Sequence, residues 1–369
     1  MKINFLLLIT LILFSSCNQN GNIKPAINNL TSTSDIVSTK QSELIFQNSK
    51  IFPNNTQFSI SIIENGNIKF IGTKRENDTV FKIENHKNVF EIGSLTKIFT
   101  STILSNFVIE KALKLDDKIN DFIKIHLNKN VEISFKQLAN HTSGLPKMPS
   151  NIEYSDKRNK FKDYNTLKLE EFIQNDLELS FAPGKQSSYS NIGVSILGYT
   201  LSEISNNNYQ ELLNKYILSK YDMNSTSINR RTLSKKIIKG LNTSGQETSN
   251  WDLASLTPAG GILSSVEDLS KFAIAQFNPQ NKDLILTQQK TFEIDNKTEQ
   301  GLGWRIENSS GNKWYCHNGR TGGYTSSISL DIENKNGIII LTNISTIGNE
   351  NKKHIINLCT ELLKTLKTK

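Results

Sequence analysis

Ser94 and Lys97 stand three residues apart in Phe90-Glu91-Ile92-Gly93-Ser94-Leu95-Thr96-Lys97-Ile98-Phe99-Thr100. On a helix that spacing puts a hydroxyl and an amine on one face. Gly93 interrupts the apolar run before them, and Ile98, Ile103, Leu104, Phe107, Val108 and Ile109 carry a helix towards Glu110. As a helix start the stretch is poor. Ser is a favoured N-cap, but its capping-box partner should be Glu or Gln, and Lys97 stands there instead. A first-turn cation opposes the helix dipole, and no acid before Glu110 offsets it. As chemistry the pair is sound, because the dipole and desolvation both favour a neutral amine, a base beside a nucleophile. The same spacing recurs at Ser310-Gly311-Asn312-Lys313, where polar neighbours predict a turn and no helix organises it.

Three other groups carry chemical potential. Tyr189-Ser190-Asn191 follows the Pro183-Gly184 turn and precedes an amphipathic run through Leu197, Leu201 and Ile204. Taken alone, Asn191 reads as an N-cap and Tyr189 as a core aromatic. His317-Asn318-Gly319 follows an apolar strand at Trp314 and Tyr315, and alone reads as a structural histidine before a turn. His141-Thr142-Ser143-Gly144 reads as a loop lock, its imidazole bridging backbone groups.

The elements that must position these groups come from both ends of the chain. A helix is expected over Thr39–Lys50, then strands at Gln57–Ile63 and Ile68–Gly72 around the hairpin signal Asn65-Gly66. Helices and long polar connections follow Glu110, with Ser134 capping a short helix and further helices over Leu167–Leu177 and Tyr209–Tyr221. Residues 147–165 read as a polar loop. Ser264 or Ser265 caps a helix with Glu267 and Asp268 in its first turn. Strands are expected over Gly301–Ile306, Lys313–Cys316, Tyr324–Ile332 and Gly337–Thr342, and a last helix carries Ile355, Ile356, Cys359, Leu362, Leu363 and Leu366 on one face. The implied fold class is α+β. An antiparallel sheet from residues 41–112 and 262–369 is flanked by helices, with a mostly helical subdomain inserted over about 113–261 and the cleft between them as the default active site.

At 369 residues the chain can bury a large core. Its net charge of +8 comes from dispersed lysines, and short basic clusters such as Arg230-Arg231 lack interleaved aromatics, which argues against a nucleic-acid partner. Met1-Lys2, the apolar run Phe5–Phe14 and Ser15-Ser16-Cys17 predict a secretory signal over 1–17, too short to span a bilayer. Cys17 resembles the lipid-attachment cysteine of bacterial lipoproteins, and the Asn-, Ser- and Thr-rich stretch 18–40 reads as a polar tether. The expected location is therefore the cell envelope, lipid-anchored to a bacterial membrane. Cys316 and Cys359 lack metal-ligand spacing and the five histidines form no ligand pattern, so neither a metal site nor another cofactor is expected.

Together the motifs resemble the serine β-lactamase and penicillin-binding superfamily, on the branch holding class C β-lactamases, D-alanyl-D-alanine carboxypeptidases and related esterases. Glu-Ile-Gly-Ser-Leu-Thr-Lys looks like the nucleophile motif, Tyr-Ser-Asn the second and His-Asn-Gly the third. His-Thr-Ser-Gly-Leu-Pro, Pro-Ala-Gly-Gly-Ile and Gly-Leu-Gly-Trp accompany them, over about residues 45–365. The resemblance implies a β-lactamase/transpeptidase-like fold and an acyl-enzyme on Ser94, with Lys97 and Tyr189 handling protons. It implies that Asn191, His317, Gly319 and Arg320 bind substrate, and that the backbone N–H groups of Ser94 and Arg320 form the oxyanion hole. Class C β-lactamases commonly carry Lys-Thr-Gly where this chain has His317-Asn318-Gly319, and Arg320 is a candidate for the missing cation. The expected substrate is a β-lactam, a D-alanyl peptide or a small ester. The competing expectation is a penicillin- or peptidoglycan-binding receptor or scaffold on the same fold that does not turn over.

Overall fold

The structure, a computed structural model, describes residues 25–30, 36–309 and 311–367. Cys17 and the expected leader lie outside the described residues. Twelve strands run in chain order: β1 (Ile27–Asn29), β2 (Gln57–Glu64), β3 (Asn67–Glu76), β4 (Thr79–Ile83), β5 (Phe90–Glu91), β6 (Leu263–Ser264), β7 (Phe292–Asp295), β8 (Thr298–Gln300), β9 (Arg305–Ser309), β10 (Asn312–Arg320), β11 (Thr325–Asp331) and β12 (Asn336–Thr342). Ten form one sheet in the order β1-β4-β3-β2-β12-β11-β10-β9-β8-β7, while β5 and β6 pair separately.

The two ends of the chain meet where β12 pairs antiparallel with β2, Ile340 opposite Ile60. The Asn65-Gly66 turn closes the β2–β3 hairpin with both residues at positive φ, +50° and +82°, the backbone twist that suits a two-residue connection. Residues of β11 and β12 are buried throughout, so these strands have helices on both faces. In β12 the alternation divides two cores. Ile338 and Ile340 face the helices Thr39–Ser49 and Lys352–Leu363, while Ile339 and Leu341 join the larger core on the other face. That larger core runs without a break through Ile98 and Phe99 to Leu138 and Ile196, so the sheet and the helical part share one interior.

Two expectations need correction. The sheet is mixed, not wholly antiparallel, because β1 adds to β4 in parallel with Ile27 opposite Thr79. That strand also lies inside the stretch read as a tether. Leu30 and Val37 are buried beside it, and Ser38 caps the Thr39–Ser49 helix in a capping box with Gln41. Three or four apolar residues in a polar stretch suffice once a sheet edge offers unpaired backbone groups. The helices expected over 167–177 and 209–221 each begin as α-helix and loosen into a π turn, at Phe172–Asp176 and Asn214–Leu218. Of the repeated Ser-x-x-Lys at 310–313, Ser310 lies outside the described residues, Gly311 has φ +86°, and Asn312 and Lys313 already belong to β10.

Candidate active site

Ser94 sits in a single 3₁₀ turn, Gly93–Leu95, that runs directly into the helix Thr96–Ile109. The N-cap of that turn is Ile92 and that of the helix is Leu95, so Ser94 caps neither, and its hydroxyl faces Lys97 instead. Lys97, one turn on, is fully buried, and its Nζ lies 3.2 Å from Ser94 Oγ. The same nitrogen donates to Asn191 Oδ1 at 2.8 Å and to the Ala259 carbonyl at 2.6 Å. A neutral amine has two N–H donors and one lone pair. With both donors engaged, the lone pair is left for the Ser94 O–H. Burial holds the Lys97 pKa well below its ordinary value, and the nearby Lys147 pushes the same way.

Each partner of Lys97 has a local cause. Ser190, not Asn191, is the N-cap of the helix Asn191–Ser205: its Oγ accepts from Gly193 N–H at 2.9 Å and donates to the Pro146 carbonyl at 2.7 Å. That frees the Asn191 side chain to reach Lys97. The Pro-Ala-Gly-Gly-Ile segment forms the floor, where Pro258 O takes Thr100 Oγ1 at 2.6 Å, Ala259 O takes Lys97, and Ile262 N–H reaches Thr96 Oγ1 at 3.1 Å. Gly-Leu-Gly-Trp, residues 301–304, supports the same helix from outside, and the strand expected over Gly301–Ile306 begins only after it, since β9 starts at Arg305. Gly303 adopts φ +74°, and a Cβ on it would lie 2.8 Å from the Lys97 carbonyl oxygen.

Tyr189 brings its ring to 4.7 Å from Lys97 Nζ, and its phenol is hydrogen-bonded to Ser94. Burial raises the phenol pKa above its ordinary value, although 39 % of the residue remains exposed in the cleft. The Ser94 bond and the Arg320 charge oppose that rise. His141 holds this segment in place. It is buried with φ +62°, packs its ring tilted by 45° against Tyr189 with centroids 4.6 Å apart, accepts from Ser190 N–H at Nδ1 (3.3 Å) and takes Ser188 N–H on its carbonyl (2.8 Å). The expected loop lock is therefore present, and its target is Tyr189. His317 faces the same ring, centroids 6.5 Å apart, and its Nδ1 lies 3.0 Å from the Asn318 carbonyl. Burial, then Lys97, pulls its pKa down to about 3, so the imidazole is neutral at physiological pH, with Nδ1 donating and Nε2 free to accept.

The fourth wall is the end of β10. Thr321 N–H bonds Tyr324 O, so alternation turns the Arg320 N–H to the opposite edge, where β9 stops pairing at Cys316. That edge faces the nucleophile turn. A Cβ on Gly93 would lie 2.7 Å from Arg320 N, and one on Gly319 would lie 3.0 Å from Ser94 N. Two backbone donors thus flank Ser94, the geometry an oxyanion needs. Arg320 itself projects into the exposed rim. Ser94, Lys97, Tyr189, Asn191, His317, Gly319 and Arg320 are all brought to one cleft.

A family model described as Beta-lactamase matches residues 75–357, more than half of the chain. The chain belongs to the Beta-lactamase family. It is 26 % identical over 308 residues to Protein flp of Staphylococcus aureus (strain MW2), covering 78 % of this chain and 59 % of that one. The chain therefore spans about three fifths of the length of these curated relatives. It is also 24 % identical over 257 residues to a Beta-lactamase of Pseudomonas fluorescens, covering 67 % of this chain and 68 % of the relative. Among solved structures, a Beta-Lactamase/D-Alanine Carboxypeptidase from Pseudomonas syringae superposes with a TM-score of 0.73 at 21 % identity over 89 % of this chain and 98 % of that chain. An octameric penicillin-binding protein homologue from Pyrococcus abyssi gives 0.74 at 24 % over 88 % and 77 %. These likenesses show the β-lactamase/transpeptidase fold, and membership of the family supports a function of the serine-hydrolase type.

Sequence reasoning missed three contributors in this member of the Beta-lactamase family: Glu91, Trp251 and Phe161. Glu91 is buried two residues before Gly93, and its Oε1 accepts from Asn250 Nδ2 (2.8 Å), Trp251 N–H (3.0 Å) and Arg230 Nη2 (3.0 Å). Its signal was a carboxylate inside the apolar run Phe90–Ile92. Trp251 and Phe161, which line the cleft, lie in polar stretches that carry no periodicity. Cys316 and Cys359 are both buried free thiols, and among the described residues no cluster of metal-binding side chains occurs.

Proposed function

We propose that this chain is an exported, lipid-anchored serine hydrolase that forms an acyl-enzyme on Ser94. Its carbonyl substrate would be a β-lactam, a D-alanyl peptide or a small ester. The observation that carries the chemistry is the buried Lys97 amine, its N–H groups engaged by Asn191 and Ala259 and its remaining face 3.2 Å from Ser94 Oγ. The substrate oxygen lies between the N–H groups of Ser94 and Arg320. Ser94 Oγ bonds to the carbonyl carbon as its proton passes to Lys97, and the collapsing intermediate breaks the bond to the leaving group. Tyr189 relays the proton to that group, its raised pKa keeping it a neutral phenol that accepts and donates through one hydroxyl. Water then cleaves the acyl-enzyme, giving its proton to the same amine and restoring Ser94. Export and anchoring rest on the leader-like residues 1–16 and Cys17.

The pH profile follows from the same assignment. Protonated Lys97 cannot accept from Ser94, so log kcat/KM rises with pH through the lowered Lys97 pKa and levels off above it. His317 is already neutral, its pKa being about 3, and contributes no inflection near 6.5. His317→Gln is expected to leave the rising limb where it is. A limb that shifts or disappears in that variant would make His317 the base.

The proposal is tested by a burst experiment on protein lacking residues 1–20, with a chromogenic cephalosporin and a p-nitrophenyl ester beside Ser94→Ala. A stoichiometric burst followed by steady turnover, both absent from the variant, is expected. A burst with no further product would replace the hydrolase with a non-turnover receptor. Turnover that survives Ser94→Ala would overturn both.

A further inference from the structure

At the end of the sheet far from Ser94, β1 and β4 share an apolar face that no core covers. Ile27 of β1 is 65 % exposed, yet its backbone is fixed. Its N–H donates to the Asp78 carbonyl at 2.7 Å, and Ile27, Asn28 and Asn29 lie opposite Thr79, Val80 and Phe81 of β4. Side chains opposite each other, or two apart on one strand, share a sheet face. Ile27, Phe81 and Ile83 therefore stand together, with Lys74 of β3 opposite Phe81. The reverse face is the one that Ile71 and Val80 give to the core under the helices Thr39–Ser49 and Lys352–Leu363. Phe81 and Ile83 are only partly buried, and among the described residues neither they nor Ile27 join a hydrophobic core. β1 covers β4 only as far as Phe81, so Lys82 and Ile83 lie on the bare edge of the sheet.

Two observations bear on what covers this edge. The first is chain length. Ile27 follows Cys17 by ten residues, a reach of at most about 36 Å when fully extended. A lipid on Cys17 would hold the β1–β4 edge within that distance of a bilayer. The second is charge. The three carboxylates between residues 74 and 87 each have a base beside them: Glu76 with Lys74 (2.6 Å), Asp78 with Arg75 (2.9 Å) and Glu84 with His86 (3.4 Å). Lys82 and Lys87 make no ion pair among the described residues. Exposed Lys239 lines a hollow beside Lys74, where Glu247 is the one acid. Branched and aromatic side chains flanked by unpaired lysines suit the boundary between headgroups and acyl chains. The apolar tips enter, and the ammonium groups stay level with the phosphates.

We propose that the β1–β4 edge, centred on Ile27, Phe81 and Ile83, docks on the surface of an anionic bilayer. The inference rests on the anchoring reading above for which surface the edge meets. It adds that the domain lies against that surface in one orientation and does not swing freely on its tether. The catalytic cleft is then held near the lipid, since β10 stands five strand intervals from β4, about 24 Å. Carbonyl substrates carried at the membrane come within its reach.

The test uses protein lacking residues 1–20, which keeps every described residue and removes Cys17. Co-sedimentation is measured with phosphatidylcholine vesicles, pure or containing about one third phosphatidylglycerol, at low and high salt. Binding to the anionic vesicles, weakened by salt, is expected. Ile27→Asp and Phe81→Asp should each lower the partition coefficient by about tenfold, and Lys82→Gln combined with Lys87→Gln by about fivefold or more. Leu167→Asp, at a residue 73 % exposed in the helical part, is the control and should bind as the unaltered protein does. Thermal melting monitors folding, and Ile27→Asp carries the test should Phe81→Asp fail to fold. Absence of salt-sensitive binding to the anionic vesicles, or binding unmoved in a folded Ile27→Asp, overturns the docking surface. A dimer in sedimentation velocity that Ile27→Asp dissociates, without vesicle binding, gives the edge to a second copy instead. Anchoring is read separately, by labelled palmitate incorporated into the full chain and lost in Cys17→Ala. Absence of that label sinks the anchoring reading and leaves the vesicle result to decide the surface, so the two failures are told apart.

Discussion

Gly319→Ala is expected to lower kcat by about 10²- to 10³-fold on any substrate that Ser94 attacks, the loss associated with removing one oxyanion donor. The reason is space, not backbone freedom. A Cβ at 319 would collide with the Ile92 carbonyl oxygen and with Ser326 Oγ, and would lie 3.0 Å from Ser94 N. Ile92 O already takes the Ser326 hydroxyl at 2.8 Å and belongs to the rigid turn that enters Gly93–Leu95, so it cannot yield cheaply. β10 must retreat from the nucleophile, and the Arg320 N–H retreats with it. Overpacking of this kind also costs about 1–3 kcal/mol of stability, so melting should be measured beside steady-state kinetics. A variant that melts early yet keeps kcat within threefold of the original would show that Arg320 N–H is not an oxyanion donor.

Legibility in the sequence followed the range of the interactions involved. The hairpin at Asn65-Gly66, the capped helix after Ser134 and the apolar face of the terminal helix are written in residues a few positions apart, and the structure has all three. One sheet built from both ends of the chain is expected by assembly, because apolar strands at both ends need a common core, while the particular join of β2 to β12 is known only from the structure. The parallel addition of β1 was not legible. Its three residues are polar or exposed, and what holds them is the free edge of β4, a property of the partner. The π turns at Phe172–Asp176 and Asn214–Leu218 likewise answer to packing, since apolar periodicity is almost unchanged across one inserted residue.

The cleft divides along the same line. Ser94 and Lys97 stand out because they are neighbours on a helix, with a cation where the dipole does not favour one. Tyr189, Asn191 and His317 were reached through ordered motifs and the resemblance those motifs carry. Their distances to Lys97 and to one another depend on three separate segments meeting. Ser190 shows how finely this is divided. One residue of the Tyr-Ser-Asn motif caps the helix, and so the next is released to hold the amine. Trp251 and Phe161 had no comparable signal, because an aromatic in a polar loop looks alike whether it faces solvent or a cavity.

Lys97→Met and Lys97→Arg should both lower kcat/KM, by about 10²- to 10⁴-fold, and the comparison between them decides what the lysine does. A charged Lys97 would also satisfy its three acceptors, so hydrogen-bond count alone leaves both protonation states open. Burial separates them. Among the described residues no carboxylate forms an ion pair with Lys97, and Lys147 adds repulsion, so an ammonium here would carry an uncompensated cost of several kcal/mol. A neutral amine avoids that cost and is the form that can take the Ser94 proton. The side chain introduced by Lys97→Arg could not, since a guanidinium stays charged at any working pH. If the lysine acted as a fixed cation polarising Ser94, arginine would retain much of the activity and methionine would not. Equal loss in both variants, with partial recovery of a folded Lys97→Ala by added small primary amines, is the outcome expected of a base. Activity within tenfold of the original in Lys97→Arg would rule that role out and move proton abstraction to Tyr189.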